Sequence, residues 1–169
     1  YFNRAGTKLV FQSERESGNP FFQIYLMDLA SGQVERVSRG SGKTTCGWIH
    51  PSDTRVLFSS THLDPSSSDL QAEELERRTR GETRRYQWDY DSHYDIFSQR
   101  IPLAGEPPLR LTLAPGYDAE ASWSPDGRFI VFASNRHIYG PDGEFSAELS
   151  DADRKHAEAD LSRFIDLYI

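Results

Sequence analysis

Apolar residues along this chain fall in short runs separated by turn-forming residues, and the pattern recurs. Tyr1–Arg15 (YFNRAGTKLVFQSER), Gly47–His62 (GWIHPSDTRVLFSSTH) and Ser122–Arg136 (SWSPDGRFIVFASNR) each contain an aromatic residue, a turn and an apolar run ending in Phe-x-Ser. The turns NRAG, PSDT and SPDG supply the residues that β-turns require. PDG between two apolar runs is the strongest hairpin signal of the three and PSDT the weakest. A second unit follows the first two copies. Gln23–Ser38 reads as strand, ASG turn and strand, and Tyr94–Thr112 repeats it with LAGEPP as the turn. Two hairpins in series make a four-stranded antiparallel sheet, the size of one propeller blade.

The last residues, FIDLYI, alternate like the middle of a strand. DLYI aligns with QIYL and DIFS, which makes it the third strand of a third blade. The spacing agrees: Ile24 and Ile96 are 72 residues apart, and Ile96 and Leu167 are 71 apart. Both exceed the roughly 40–45 residues of a typical blade, and the excess lies in two insertions. The expected fold is all-β. One blade spans about residues 1–38 and a second about 44–112 with an insertion at 63–93. A third, incomplete blade spans about 118–169 with an insertion at 137–163. A two-sheet sandwich would have to produce three echoes in the same order by coincidence.

Composition narrows the function classes. A net charge of −7 disfavours binding to duplex DNA, which needs clustered cations. No apolar run approaches the ~18 residues of a membrane-spanning helix. Cys46 is the single cysteine, so neither an internal disulfide nor a cysteine zinc site can form.

The stretch WSPDGRFIVFASNR resembles the repeat of TolB-type bacterial β-propellers. GKTTCGWIHPSDTRVLFSSTH, WDYDSHYDIF and GYDAEASWSPDG resemble the longer signature of a TolB-like subfamily, in this order. The resemblance covers the chain except for the two insertions, with NRAG and PSDT as degraded copies of SPDG. It implies a propeller that closes with about six blades, and an extracytoplasmic, periplasmic bacterial protein. Two and a half blades leave sheet edges open, so further chain or partners are expected to cover them.

With the strands of a blade labelled A to D, the B-to-C and D-to-A connections emerge on one face. All the unusual segments fall there: residues 38–46 and 113–120 between blades, and 61–94 and 137–163 within them. Loops held by a rigid scaffold are where binding usually resides. Both insertions are expected to contain a helix without a wide apolar stripe. Ser68 with Gln71 matches a capping box, and Glu73/Arg77, Glu74/Arg78 and Glu76/Arg80 are spaced as ion pairs. Ser150 precedes a second helix, with Asp151/Lys155 and Arg154/Glu158 spaced to pair.

GSGKTT is not a phosphate-binding loop, because Val37 stands where its first glycine belongs and CGWIHPSD cannot continue as a helix. In WDYDSHYDIF, a strand would align Asp89, Asp91, His93 and Asp95 along one side, an oxygen-rich set that suits Ca²⁺ without the EF-hand spacing. The same residues serve equally as ties for a loop. Otherwise no cofactor is expected. Asp118, Glu120 and His62 lie on the same face and could approach that cluster to form a polar pocket. The sequence has neither a Gly-x-Ser-x-Gly elbow nor a His-Glu-x-x-His pair. Five arginines in RRTRGETRR follow three glutamates, which favours internal pairing over an acidic partner or lipid. The expected function is a non-catalytic scaffold that docks proteins in a membrane-associated assembly. Its partner face comprises Lys43, Thr44, His62, Arg84, Arg85, Trp88, Tyr117, Asp118 and Glu120. The alternative is the regulatory or gating propeller of a hydrolase whose catalytic domain lies elsewhere.

Overall fold

The computed structural model of the chain describes residues 1–82 and 90–169. Three antiparallel sheets form in succession. The first pairs β1 (Lys8–Ser13), β2 (Gln23–Asp28) and β3 (Val34–Arg36), with Phe2 forming an isolated bridge to Leu9. The second is a complete blade of β4 (Thr44–Ile49), β5 (Arg55–Ser60), β6 (Asp95–Arg100) and β7 (Leu109–Arg110). The third pairs β8 (Asp118–Trp123), β9 (Ile130–Ser134) and β10 (Asp166–Tyr168). The terminal FIDLYI does supply the third strand of the third sheet, with Leu167 opposite Ala133. Helix α1 (Ser67–Thr79) lies in the β5–β6 connection and α2 (Asp151–Ala159) in the β9–β10 connection.

The degraded turns fold like the intact one. Asn3, His50 and Ser124 each accept a hydrogen bond from the amide three residues on, and each donates to the carbonyl five residues on. The residue three places on takes positive φ in every copy: Gly6 at 67°, Asp53 at 57° and Gly127 at 72°. Aspartate tolerates this region better than most side chains, which is why PSDT turns as well as SPDG does.

Each blade also repeats one aromatic pair. Phe11 and Tyr25 stack at 5.7 Å, Phe58 and Phe97 at 5.8 Å, and Phe132 and Tyr168 at 5.7 Å. The serine of Phe-x-Ser anchors the residue that covers this pair. Arg15 Nε, His62 Nδ1 and Arg136 Nε bond Ser13, Ser60 and Ser134 respectively. The Arg15 guanidinium lies 4.9 Å from the Tyr25 ring, and that of Arg136 lies 4.8 Å from Phe132. His62 takes the arginine's place with its ring 4.4 Å from Phe97. A planar cation on an aromatic face adds on the order of 0.5–1 kcal/mol at a partly exposed site.

The sheets pack face to face, the aliphatic side of one against the aromatic side of the next. Val10 and Ile24 of the first sheet join Ile49, Val56 and Phe58 of the second. Leu57 and Ile96 of the second meet Ala121 of the third, with Trp48, Trp123, Ile130 and Phe132 around them. Gly47 allows the first junction to close, since a Cβ there would come within 2.7 Å of Val10 Cγ2. Turn also touches turn: Asn3 Nδ2 donates to Asp53 Oδ2 at 2.9 Å, and His50 Nε2 lies 3.1 Å from the Gly127 carbonyl.

Candidate functional site

The β3–β4, β5–β6, β7–β8 and β9–β10 connections gather on one face of the sheets. The capping box expected at Ser68 and Gln71 does not form. Ser66 caps α1 without a side-chain bond, and Gln71 Oε1 instead accepts from the Gly42 amide at 2.8 Å. That bond ties the helix to the GSGKTT loop, whose chain continues as strand β4. Arg78 reaches across to Glu14 at 2.9 Å and to the Pro20 carbonyl of the first blade. Glu74 pairs with Arg77 and Arg78, and Glu76 with Arg80, so the described arginines of the run are used internally. In the other insertion Ser150 caps α2 by accepting from the Asp153 amide. Arg154 spends its donors on the Ser146 carbonyl and lies over Phe145. Helix α1 is therefore strapped to the first blade and to the neighbouring loop, whereas these contacts hold α2 within its own insertion.

A cleft of about 350 Å³ opens on this face between the second and third blades, lined among others by Asp64, His93, Asp95, Arg110, Leu113 and Tyr139. Leu113 is 75% exposed at its rim. The side chains expected to align as a strand do not. β6 starts only at Asp95, and Asp91 heads a turn whose carboxylate accepts from the His93 amide at 3.0 Å while its carbonyl accepts from the Tyr94 amide. The period of two is lost before it can set one side of a strand. Asp95 turns to the β7 edge, paired with Arg110 at 2.6 Å and accepting from Thr112. Burial pushes its carboxyl up from the ordinary value against those two partners, and the nearby charge of Asp118 adds to the rise.

Asp91 and His93 do come together, joined by Asp64, with one ligand atom from each within 4.8 Å of the others. Lys43 sits 3.1 Å from Asp91 Oδ2. Ca²⁺ takes six to eight oxygens, whereas this group offers two carboxylates and an imidazole with an ammonium already on one carboxylate, so the donors fit Ca²⁺ poorly. Sequence spacing could not find Asp64. It lies in the same insertion but 27 residues before Asp91, and only the return of the chain past α1 brings the two together.

The expected partner face divides on burial. Thr44, Tyr117 and Asp118 are buried at 3%, 1% and 0% exposure, so they support the face from beneath and do not present to a partner. Thr44 donates to the Phe22 carbonyl, Tyr117 stacks on Tyr90, and Asp118 pairs with Arg136 at 2.8 Å. His62 is half-buried, and desolvation followed by the charges of Arg39 and Arg110 lowers its pKa to about 4. It is therefore neutral at pH 7 and no partner of the acidic cluster. Glu120 is exposed, in a bulge of β8 with φ of 57°, and Cys46 occupies the equivalent bulge of β4 with φ of 55°. Burial raises the Cys46 thiol, with Glu120 adding to the rise, so it is a poor nucleophile. Arg84, Arg85, Trp88 and Asp89 lie outside the described residues.

The opposite face is not featureless either. A second cleft of about 300 Å³ lies between the first two blades, lined by Lys8, Asp28, Glu35 and Asp53 around Leu26, Ile101 and Pro102. No helix among the described residues is long and apolar enough to cross a membrane.

No family model matches the chain. Among solved structures, a TolB from Agrobacterium tumefaciens aligns over 89% of this chain and 39% of its own, with 19% identity and a TM-score of 0.54. A TolB from Acinetobacter baumannii aligns over 78% of this chain and 25% of its own, with 22% identity and a TM-score of 0.49. A prolyl endopeptidase aligns over 79% and 18%, with 11% identity and a TM-score of 0.48. The chain thus spans well under half the length of each. Three successive sheets with the repeated turn, aromatic pair and junction, together with the Agrobacterium likeness, give this chain the fold of part of a TolB-like β-propeller.

Proposed function

We propose that this chain is a non-catalytic interaction module that docks other proteins through its decorated face. The observation that carries this reading is the fastening of that face. Four connections, two of them with helices, are tied to one another by Gln71 to Gly42, Lys43 to Asp91, Asn135 to Tyr90 and the Tyr117 amide to Asn135, and to the first blade by Arg78 to Glu14. Solvated decorations need no such ties, whereas a preorganised docking surface binds more tightly because less ordering remains to be done. Exposed Leu63 and Leu113, beside the cleft's charged groups, give the surface both an apolar anchor and polar specificity. The resemblance to TolB-type repeats supports an extracytoplasmic, periplasmic location and a role as accessory subunit of a membrane-associated assembly. The likeness to a prolyl endopeptidase lends the gating alternative no support of its own.

Site-specific photo-crosslinking in the source cell tests the reading. A crosslinker at Leu113 should capture a discrete protein partner, while one at Ser31 on the opposite face should not. Equal capture from both faces, or none from Leu113, would sink it.

A further inference from the structure

Among the described residues, two carboxylates line the cleft of the decorated face, and only one of them is matched to a cation. Asp95 is paired with Arg110 at 2.6 Å, and nearby Asp91, outside the lining, with Lys43 at 3.1 Å. Asp64 has no such partner among the described residues. Its side chain is only 2% exposed, and the nearest basic nitrogen, His93 Nδ1, lies 3.9 Å from Oδ2, beyond hydrogen-bond reach.

The chain holds this carboxylate in place. The Asp64 amide donates to the Thr61 carbonyl at 2.9 Å, and its own carbonyl accepts from the Ser67 amide at 3.1 Å. Oδ1 accepts from the Ser66 amide at 2.8 Å, which leaves Oδ2 over. A carboxylate taken this far out of water is costly unless a donor answers it. Asp64 lines the cleft, so a donor can arrive from there. The rest of the lining suits a long side chain with a cationic tip: exposed Leu63 and Leu113 offer apolar surface, and Tyr139 an aromatic ring.

We propose that the cleft is the seat of one arginine side chain of the docked protein, its guanidinium against Asp64 and its methylene stem along Leu63 and Leu113. The inference rests on the docking role of this face and names what the partner brings to it. Arginine fits better than lysine, because a guanidinium is more weakly hydrated than an ammonium and stacks on aromatic faces. Arg136 shows both habits in this molecule, 2.8 Å from Asp118 and 4.8 Å from the Phe132 ring. The net charge of −7 favours the approach of a basic segment. An arginine seated in a desolvated pocket is a common anchor of protein interfaces.

The test uses the blocked peptide acetyl-Leu-Arg-Leu-amide as probe, titrated into the chain and read by amide NMR shifts. Saturable shifts are expected at Asp64, His93 and Leu113. The same peptide with citrulline, which has the shape of arginine without its charge, should bind at least about tenfold more weakly. Asp64→Asn should weaken the arginine peptide by at least about tenfold. It should leave the melting temperature unchanged, because the amide oxygen can still accept from Ser66. Glu73→Gln, exposed on α1 of the same insertion, should leave binding as it was. No shift, equal binding of the citrulline peptide, or binding unaltered by Asp64→Asn overturns the proposal. In the source cell, Asp64→Asn should abolish capture by the crosslinker at Leu113. Undiminished capture would overturn the arginine seat and leave the docking reading standing. Peptide binding through Asp64 without any capture at Leu113 would support the seat and sink the docking reading.

Discussion

The second and third blades carry nearly the same residues at their outer faces and put them in opposite surroundings. Leu57 and Ile96 are exposed by 0% and 1%, while their counterparts Val131 and Leu167 are exposed by 37% and 78%. The first blade behaves like the second, with Val10 at 1% and Ile24 at 0%. Local sequence does not distinguish the three positions; whether a further sheet packs on them does. The inner faces show the reverse, since the aromatic pair is stacked in all three blades. A blade thus makes its own aromatic pair but borrows the cover for its aliphatic pair from the next blade.

The sharpest way to break this contrast is to truncate the two equivalent residues. Ile96→Ala should cost about 3–4 kcal/mol, the range for deleting a fully buried aliphatic side chain. Leu167→Ala should cost less than about 0.5 kcal/mol, as exposed sites do. Urea unfolding of both variants decides it, and equal losses would mean that the outer face of the third blade is covered in solution.

The same contrast explains what the sequence could and could not tell. The hairpins, the blade order and the assignment of DLYI to a third strand were all legible, because turn chemistry and period-two alternation are local. Even PSDT was readable as a turn, since Asp53 can hold the positive φ that glycine holds in its neighbours. The cluster at the face was not legible. Asp64 meets Asp91 and His93 only through the return of a long insertion, and the Asx turn at Asp91 interrupts an alternation that looked strand-like. Thr44, Tyr117 and Asp118 sit in segments that the topology places on the face, but burial is a tertiary property. One signal was available and unused: the residue two places after Phe-x-Ser is Arg, His and Arg in turn, which already marks a shared role.

A smaller effect probes the junction between the two blades. A Cβ on Gly127 would lie 2.4 Å from His50 Nε2, on a residue whose φ is 72°. At Gly6, with φ of 67°, nothing lies within 4 Å. Gly6→Ala should therefore cost only the backbone strain, about 1 kcal/mol. Gly127→Ala should cost about 2–3 kcal/mol, because the bond from His50 is displaced as well. Equal costs would show that this turn-to-turn contact contributes nothing.

Next in size is a pH effect peculiar to the second blade. His62 stands where the first and third blades have Arg15 and Arg136, and its pKa falls from about 6.5 in the unfolded chain to about 4 when folded. Between those values the unfolded chain binds a proton that the folded chain refuses, so stability is full above pH 6.5 and declines toward pH 4. Allowing for solvent screening at a half-buried site, the loss should be on the order of 1–2 kcal/mol. His62→Arg should flatten that part of the stability–pH curve. An unchanged curve would place the titrating groups elsewhere.

The smallest effect separates a loop tie from a metal site at the face. If Lys43 neutralises Asp91 as its 3.1 Å contact implies, Ca²⁺ must displace an ammonium to reach a set of donors short of oxygens. Melting temperatures in chelator and in millimolar Ca²⁺ should then agree within about 1 °C, because a ligand stabilises only in proportion to its occupancy. Lys43→Gln should be the first variant to respond, since it leaves Asp64, Asp91 and His93 together without that ammonium. A clear rise in the parent protein would mean that the ion outcompetes the lysine. The second blade's insertion would then be held by metal where the third blade's is held by its cap at Ser150 and the Arg154 contacts.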